Sequence, residues 1–230
     1  MRTLQERILY EDNHLIIVNK LCGEIVQADK TGDRTLAEDV RQYLKEKYSK
    51  PGNVYLGIPH RLDRPTSGTV VFCRTEKALS RMNSLFRDGG VDKVYWAVCD
   101  KDPGDTEGRL EHWIKRNEQK NISRAYDREV SGSQKAVLEY KVIGKSDRYT
   151  LLQIHLLTGR HHQIRAQLAA CGVHIKGDLK YGFPRSNPDG GICLHSRHIE
   201  FVHPVRKEET VDITAPVPEN DVWRFFGSGK

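Results

Sequence analysis

The sequence predicts an α+β fold, and three observations predict it. Short runs of β-branched and aromatic residues come in neighbouring pairs divided by turn residues, at 8–19 and again at 136–157. Two amphipathic segments open on the capping threonines Thr35 and Thr75. No internal repeat or low-complexity tract interrupts them.

Composition sets the outer limits. At 230 residues the chain is long enough for one large domain or two small ones, with a substantial core. A hydrophobic fraction of 37% beside a charged fraction of 30% describes a well-charged surface, and no apolar run approaches the ~20 residues that span a bilayer. We expect no membrane association. Residues Met1 to Arg7 enter mixed charge at once, without the apolar core of a secretory signal. Five cysteines, at 22, 73, 99, 171 and 193, are odd in number and lack a C-x-x-C, so they read as buried thiols in a reducing cytoplasm. A net charge of +6 suits a polyanionic partner.

Each element follows from local signals. Ile8-Leu9-Tyr10 and Leu15-Ile16-Ile17-Val18 flank the turn Glu11 to His14, which makes a hairpin. After a loop at 30–34, Thr35 and Glu38 form a capping box, and Leu36, Val40, Tyr43 and Leu44 follow at helical spacing to about Tyr48. A strand at 69–73 precedes a second helix, with Ala78, Leu79, Met82, Leu85 and Phe86 as its stripe and Gly89-Gly90 as its stop. The strand 91–99 places Lys93, Tyr95 and Ala97 on one face. Strands at 136–143 and 149–157 are divided by Gly144 to Asp147. Residues 158–172 read as a turn and a short helix packed through Ile164, Leu168 and Cys171, with Arg165 near the edge of the buried stripe. Residues 184–191 form a loop, 194–204 a helix or strand stopped by Pro204, and 210–214 the last strand. Val222, Trp223, Phe225 and Phe226 form an apolar C-terminal turn ahead of a polar tail.

The chemistry concentrates at His60-Arg61-Leu62-Asp63-Arg64-Pro65-Thr66-Ser67-Gly68, a loop at the mouth of the 69–73 strand. Two flanking guanidinium groups favour the charged form of Asp63, which suits a nucleophile or base better than a proton donor. An ordinary Arg-Asp-Arg ion cluster is the structural alternative, as an ordinary sheet aromatic is for Tyr95. The polar stretch 100–133 interleaves Arg109, Lys115, Arg116, Lys120, Arg124 and Arg128 with His112, Trp113 and Tyr126. It reads equally as a solvated hairpin or as a surface that follows a phosphate backbone. Adjacent His161 and His162 would point apart on a helix and lack a third ligand, so we expect no metal site.

The nonapeptide resembles the HRLD-x-x-TSG signature of the pseudouridine synthases of the large-ribosomal-subunit type, the RluA family. Further stretches match in order: Lys93, Tyr95 and Ala97; Thr158-Gly159-Arg160 with His162-Gln163-Ile164-Arg165; Gly177-Asp178 with Tyr181-Gly182; Leu194-His195; and Phe201 with His203-Pro204. Asn19-Lys20 with Gly23 is similar to the first motif of the family, while Leu21, Pro65, Gln167 and Lys176 depart from its usual residues. The resemblance implies one catalytic domain over 1–230 with a mixed, largely antiparallel sheet, flanking helices and a central RNA-binding cleft. The stretch 100–133 would be an insert, and the little chain before Ile8 leaves no room for an S4 domain. It implies isomerisation of uridine in ribosomal or transfer RNA with no cofactor and no metal, by a cytoplasmic monomer. Asp63 would be the nucleophile or base, Tyr95 would pack on the target base, and Arg165 would pair with Asp63. Arg61 would enter the RNA stack as the uridine flips out, and Arg64 and Lys93 would contact RNA.

Two other classes fit parts of the pattern. One is a catalytically silent RNA-binding protein or chaperone on the same fold. The other is a hydrolase using Asp63 with His60 and Ser67, although three residues on one loop are poorly placed for a Ser-His-acid geometry.

Overall fold

A computed structural model describes residues 3–28 and 32–227, so part of the loop expected at 30–34, and the polar tail at 228–230, lie outside the described residues. In chain order the strands and helices are β1 (Ile8–Glu11), β2 (Leu15–Lys20), α1 (Leu36–Lys47), β3 (Ser67–Cys73), α2 (Glu76–Arg87), β4 (Val91–Cys99), β5 (Glu107–Asn117) and β6 (Ile122–Tyr126). They continue with β7 (Gln134–Lys145), β8 (Thr150–Leu156), α3 (Gln163–Ala170), β9 (Leu194–Val202), β10 (Thr210–Thr214) and α4 (Asp221–Gly227). The chain forms two compact units, Met1–Val91 with Arg197–Pro216, and Asp92–Ser196 with Val217–Lys230.

In the first unit the strands run β1-β2-β3-β9, with β10 on β9. β1, β2 and β3 are antiparallel neighbours, with Leu15 opposite Cys73 and Lys20 opposite Gly68. Every residue of β2 and β3 is buried, which explains why Leu15-Ile16-Ile17-Val18 is a continuous apolar run and not an alternating one. Leu15, Ile17, Val71 and Cys73 meet Ala78 and Met82 of α2 with Ile199, Phe201 and Val211. The Thr35 capping box closes both ways: its hydroxyl accepts from the Glu38 N–H, and the Glu38 carboxylate accepts from the Thr35 N–H. Thr75 caps α2 through the Ala78 N–H.

In the second unit the order is β4-β8-β7-β5-β6, and the registered pairs are antiparallel. The stretch 100–133 therefore contributes the β5–β6 hairpin, and β5 pairs with β7. Helix α3 packs on it, with Ile114, Ala136, Ala166 and Tyr181 at the centre of the contact. Residues 194–202 resolve as a strand. Trp223 of α4 is buried with its ring edge-on to His195, while Phe225 faces solvent.

Two cysteine expectations are corrected. Cys171 is exposed and Cys22 half-buried. Cys171 sits one residue past α3, where the chain turns away through Gly172 at φ +72°, so helical spacing no longer governs it. Among the described residues no helix is long and apolar enough to cross a membrane.

Candidate functional site

The Asp63 loop belongs to the first unit and is fixed through its backbone. The Thr66 N–H donates to the Asp63 carbonyl at 3.0 Å, closing a turn over Arg64 and Pro65. Beneath it lies Lys20, wholly buried, at the end of β2. Its ammonium donates to the carbonyls of Leu21 at 2.9 Å, Arg64 at 3.0 Å and Thr66 at 2.7 Å. The Gly23 N–H adds a second bond to the Arg64 carbonyl at 2.8 Å. Glu24 braces the same bend by accepting from the Leu21 N–H and from Arg7, each at 2.8 Å. Burial drives the Lys20 pKa down to about 8, against the pull of the nearby Glu24, Cys22 and Asp63 charges.

Asp63 itself is half-buried between an exposed Arg61 and an exposed Arg64, whose guanidinium pairs with Asp33. Sequence reasoning named these two arginines as the flanking cations and gave Lys20 only as part of the first-motif likeness, missing that it is the buried cation that grips the turn. The signal was a lysine ending an apolar strand, where a charge needs partners. His60 stacks on Phe86 at 4.7 Å, and its Nε2 accepts from the Val71 N–H at 2.9 Å. That bond takes the lone pair a Ser-His hydrolase would need at Nε2, and Ser67 is buried in β3.

The second unit carries the other expected residues. Lys93 and Tyr95 share a face of β4, where burial lowers the Lys93 pKa against the pull of Asp92. Tyr95 stands opposite Ile154, Ile154 opposite Tyr140, and Tyr140 opposite Gly108. By alternation His112 and Ile114 lie on the same face, and α3 covers it: Gln167 donates to the His112 ring at 3.1 Å. Helix α3 bears Arg165, so Tyr95 and Arg165 lie on one side of this unit's sheet.

Arg165 is 4% exposed, fully buried and not at a stripe edge. Its Nε and Nη2 donate to the two oxygens of Asp178 at 2.7 and 2.8 Å, a bidentate pair, and its guanidinium lies 4.8 Å from the Tyr181 ring centroid. Asp178 was legible in the sequence as part of the Gly177-Asp178 and Tyr181-Gly182 match, with no partner assigned to it. The glycine is required there: Gly177 has φ +90°, and a Cβ would come within 2.8 Å of the Gly191 carbonyl.

The turn into α3 is built by Gln163, whose Oε1 accepts from Thr158 Oγ1 at 2.8 Å and the Arg160 N–H at 2.9 Å while its amide donates to the Val137 carbonyl. His162 adopts the left-handed conformation at φ +53° just before the helix, so the two histidines stack at 3.8 Å and do not point apart. Burial, then the Arg165 charge, pushes the His162 pKa down to about 2, and its neutral Nδ1 lies 2.9 Å from Tyr181 Oη. Among the described residues one group has metal-ligating geometry, His198, Glu200 and Asp212 on β9 and β10. It is mostly exposed, and His198 already pairs with Asp212 at 2.8 Å.

A family model described as RNA pseudouridylate synthase matches residues 14–170. The chain is 30% identical over 223 residues to ribosomal large subunit pseudouridine synthase D of Zymomonas mobilis, covering 93% of this chain and 69% of that protein. It is 28% identical over 229 residues to tRNA pseudouridine synthase C of Vibrio parahaemolyticus, covering 92% of this chain and 90% of that protein. The solved structure of human RNA pseudouridylate synthase domain containing 4 superposes with a TM-score of 0.78 at 22% identity, over 94% of this chain and 90% of that one, a likeness of fold. The chain belongs to the RNA pseudouridylate synthase family, within its RluA branch, and is an isomerase of uridine in RNA.

Proposed function

We propose that the chain isomerises particular uridines of ribosomal or transfer RNA, with Asp63 as the catalytic residue. The observation that carries this reading is a half-buried carboxylate on a turn gripped from below by a buried ammonium, inside a chain of this family. The names of the relatives, one acting on large-subunit ribosomal RNA and one on tRNA, support the substrate class.

The reaction breaks the bond from ribose C1′ to uracil N1, turns the base and joins C1′ to C5. C5 gives up its proton and N1 gains one, so nothing is consumed and no cofactor or metal takes part. Asp63 acts as nucleophile or base, Tyr95 packs on the target base, and Arg165 is the third catalytic residue, supplying positive charge to the reaction. The Asp178 pair and the Tyr181 ring support Arg165 in that role, because a guanidinium held on one edge and one face keeps its remaining donors in fixed directions. Arg61 fills the gap left by a flipped uridine, since a base within a duplex must leave the stack before its C5 can be reached. Arg64 and Lys93 contact the phosphate backbone. The enzyme works as a cytoplasmic monomer on this reading.

The test is to incubate the chain with RNA transcribed without modification, then map pseudouridine by carbodiimide labelling and primer extension. A discrete set of positions with wild type, and none with Asp63→Asn, is expected. The same positions with both proteins would remove Asp63 from the mechanism.

A further inference from the structure

We propose that the outer face of the β5–β6 hairpin is a second RNA-contact surface, one that grips RNA flanking the target uridine. The proposal rests on the reading of the chain as an RNA pseudouridine synthase and adds a place where its substrate is held.

Charge along the insert is segregated. Residues 100–113 contain Asp100, Lys101, Asp102, Asp105, Glu107, Arg109 and Glu111, an acidic root, whereas 114–125 contain Lys115, Arg116, Lys120 and Arg124 against Glu118 alone. The strand register assigns these charges to faces. Trp113 stands opposite Tyr126, and Lys115 opposite Arg124. Direct opposition puts each pair on the same face, and alternation puts both pairs on the face turned away from His112, Ile114 and α3.

Closer to the root that outer face neutralises itself. Arg109 pairs with Glu139 at 2.9 Å, and Glu111 pairs with Lys135 at 2.5 Å. At the tip, Lys115 and Arg124 are both exposed and meet as like charges, an arrangement that costs stability in a sheet. An anion lying across the two strands would relieve that repulsion. Beside the cations are Trp113 and Tyr126, half-buried, with the Arg124 guanidinium 5.2 Å from the Tyr126 ring centroid. Two cations on one face with aromatic rings next to them suit a phosphate backbone and an unpaired base.

The hairpin is also anchored from its inner side. The Ser123 N–H donates to Tyr181 Oη at 2.8 Å, Ser123 Oγ lies 2.8 Å from His161 Nδ1, and Lys180 donates to the Asn121 carbonyl at 3.1 Å. The outer cations are therefore presented in fixed geometry by the same turns that hold Arg165. They face away from the side carrying Tyr95 and Arg165, so the RNA they hold is not the target nucleotide itself but chain on either side of it.

The experiment compares wild type with Lys115→Glu/Arg124→Glu, Lys115→Gln/Arg124→Gln, and a control, Lys45→Glu/Lys77→Glu, which makes the same charge change on exposed helical positions. The glutamate pair preserves the like-charge opposition and reverses only its sign, so it tests binding without a new strain. Filter binding uses an unmodified transcript of large-subunit ribosomal RNA across 50–200 mM salt, with tritium release from C5-labelled RNA measured in parallel. We expect the glutamate variant to bind about tenfold or more weakly and to lose roughly 1.4–1.8 from the magnitude of its salt slope, about 0.7–0.9 for each phosphate contact. The glutamine variant should melt no lower than wild type and still bind more weakly, a separation that a structural role would not produce. Wild-type affinity and slope in the glutamate and glutamine variants, or an equal loss in the control, would overturn the proposal. Absence of both binding and tritium release in wild type would overturn the reading beneath it instead.

Discussion

Replacing Lys20 by methionine keeps the length of the side chain and removes its charge and its donors. Three bonds disappear, to the carbonyls of Leu21, Arg64 and Thr66, the last of them buried and the others partly so, and among the described residues only the Arg64 carbonyl keeps a second donor, the Gly23 N–H. Each carbonyl left unpaired in the interior costs roughly 1–3 kcal/mol. In the other direction, burial that carries an ammonium from 10.5 to about 8 costs about 3 kcal/mol at 1.36 kcal/mol per pKa unit, and methionine avoids it. The two effects oppose, so we expect only about −1 to 3 kcal/mol of destabilisation in a urea melt. Turnover is the sharper readout. The turn that carries Asp63 loses its grip, and a displacement near 1 Å at a reacting group costs about 100-fold in rate. The assay is kcat for tritium release per folded molecule. Turnover within about threefold of wild type would refute the idea that Lys20 positions Asp63, whatever the melt shows. The pH dependence gives a second check. Because the folded pKa lies below 10.5, the unfolded chain binds more protons between about pH 8 and 10.5, so this group adds stability as pH rises through that window. Turnover should fall over the same window, since a neutral amine has lost one of three donors, and this alkaline fall should be missing from Lys20→Met.

Arg165→Ala should lower kcat by about 100-fold or more while leaving RNA affinity close to wild type, as seen by comparing turnover with filter binding. Asp178→Asn should lower kcat in the same direction but by less, because the amide keeps one acceptor for a bidentate donor; a larger loss than Arg165→Ala would give Asp178 a role of its own. Arg61→Ala should impair turnover more on a structured stem than on a short unpaired strand, and equal losses on both would count against a part in flipping. Thr35→Ala should cost about 1 kcal/mol in a denaturant melt with no change in turnover per folded molecule, as loss of an N-cap far from Asp63 in sequence requires.

What sequence could reveal depended on how local the determinant was. The β1–β2 hairpin, the Thr35 box and the stripe of α2 rest on residues within a few positions of one another, and each formed where those residues placed it. The motif residues were legible one by one. Their partners were not: Lys20 reaches carbonyls 44 and 46 residues away, and Arg165 meets Asp178 across a turn 13 residues on. Periodicity carries no trace of such bonds, because they are made between a side chain and whatever the fold brings beneath it. The stacked histidines failed for a local reason. Helical geometry separates adjacent side chains, but His162 adopts the left-handed conformation ahead of the helix and brings the rings together. Cys171 misled in the same manner, lying one residue beyond the segment to which the apolar stripe applied. The hairpin charges needed the register. Read in sequence they are a mixed polar stretch, and only the pairing of Lys115 with Arg124 shows two cations on one face.

The most direct test of Asp63 is tritium release from RNA labelled at uridine C5, with wild-type chain and Asp63→Asn side by side. C5 loses its hydrogen only when the new bond to ribose forms there. We expect release by the wild type and none by the variant, with both proteins folded and binding RNA alike, because the amide keeps the shape of the carboxylate and removes its charge. Release by both at similar rates would show that the reaction proceeds without this carboxylate and would contradict the role assigned to Asp63.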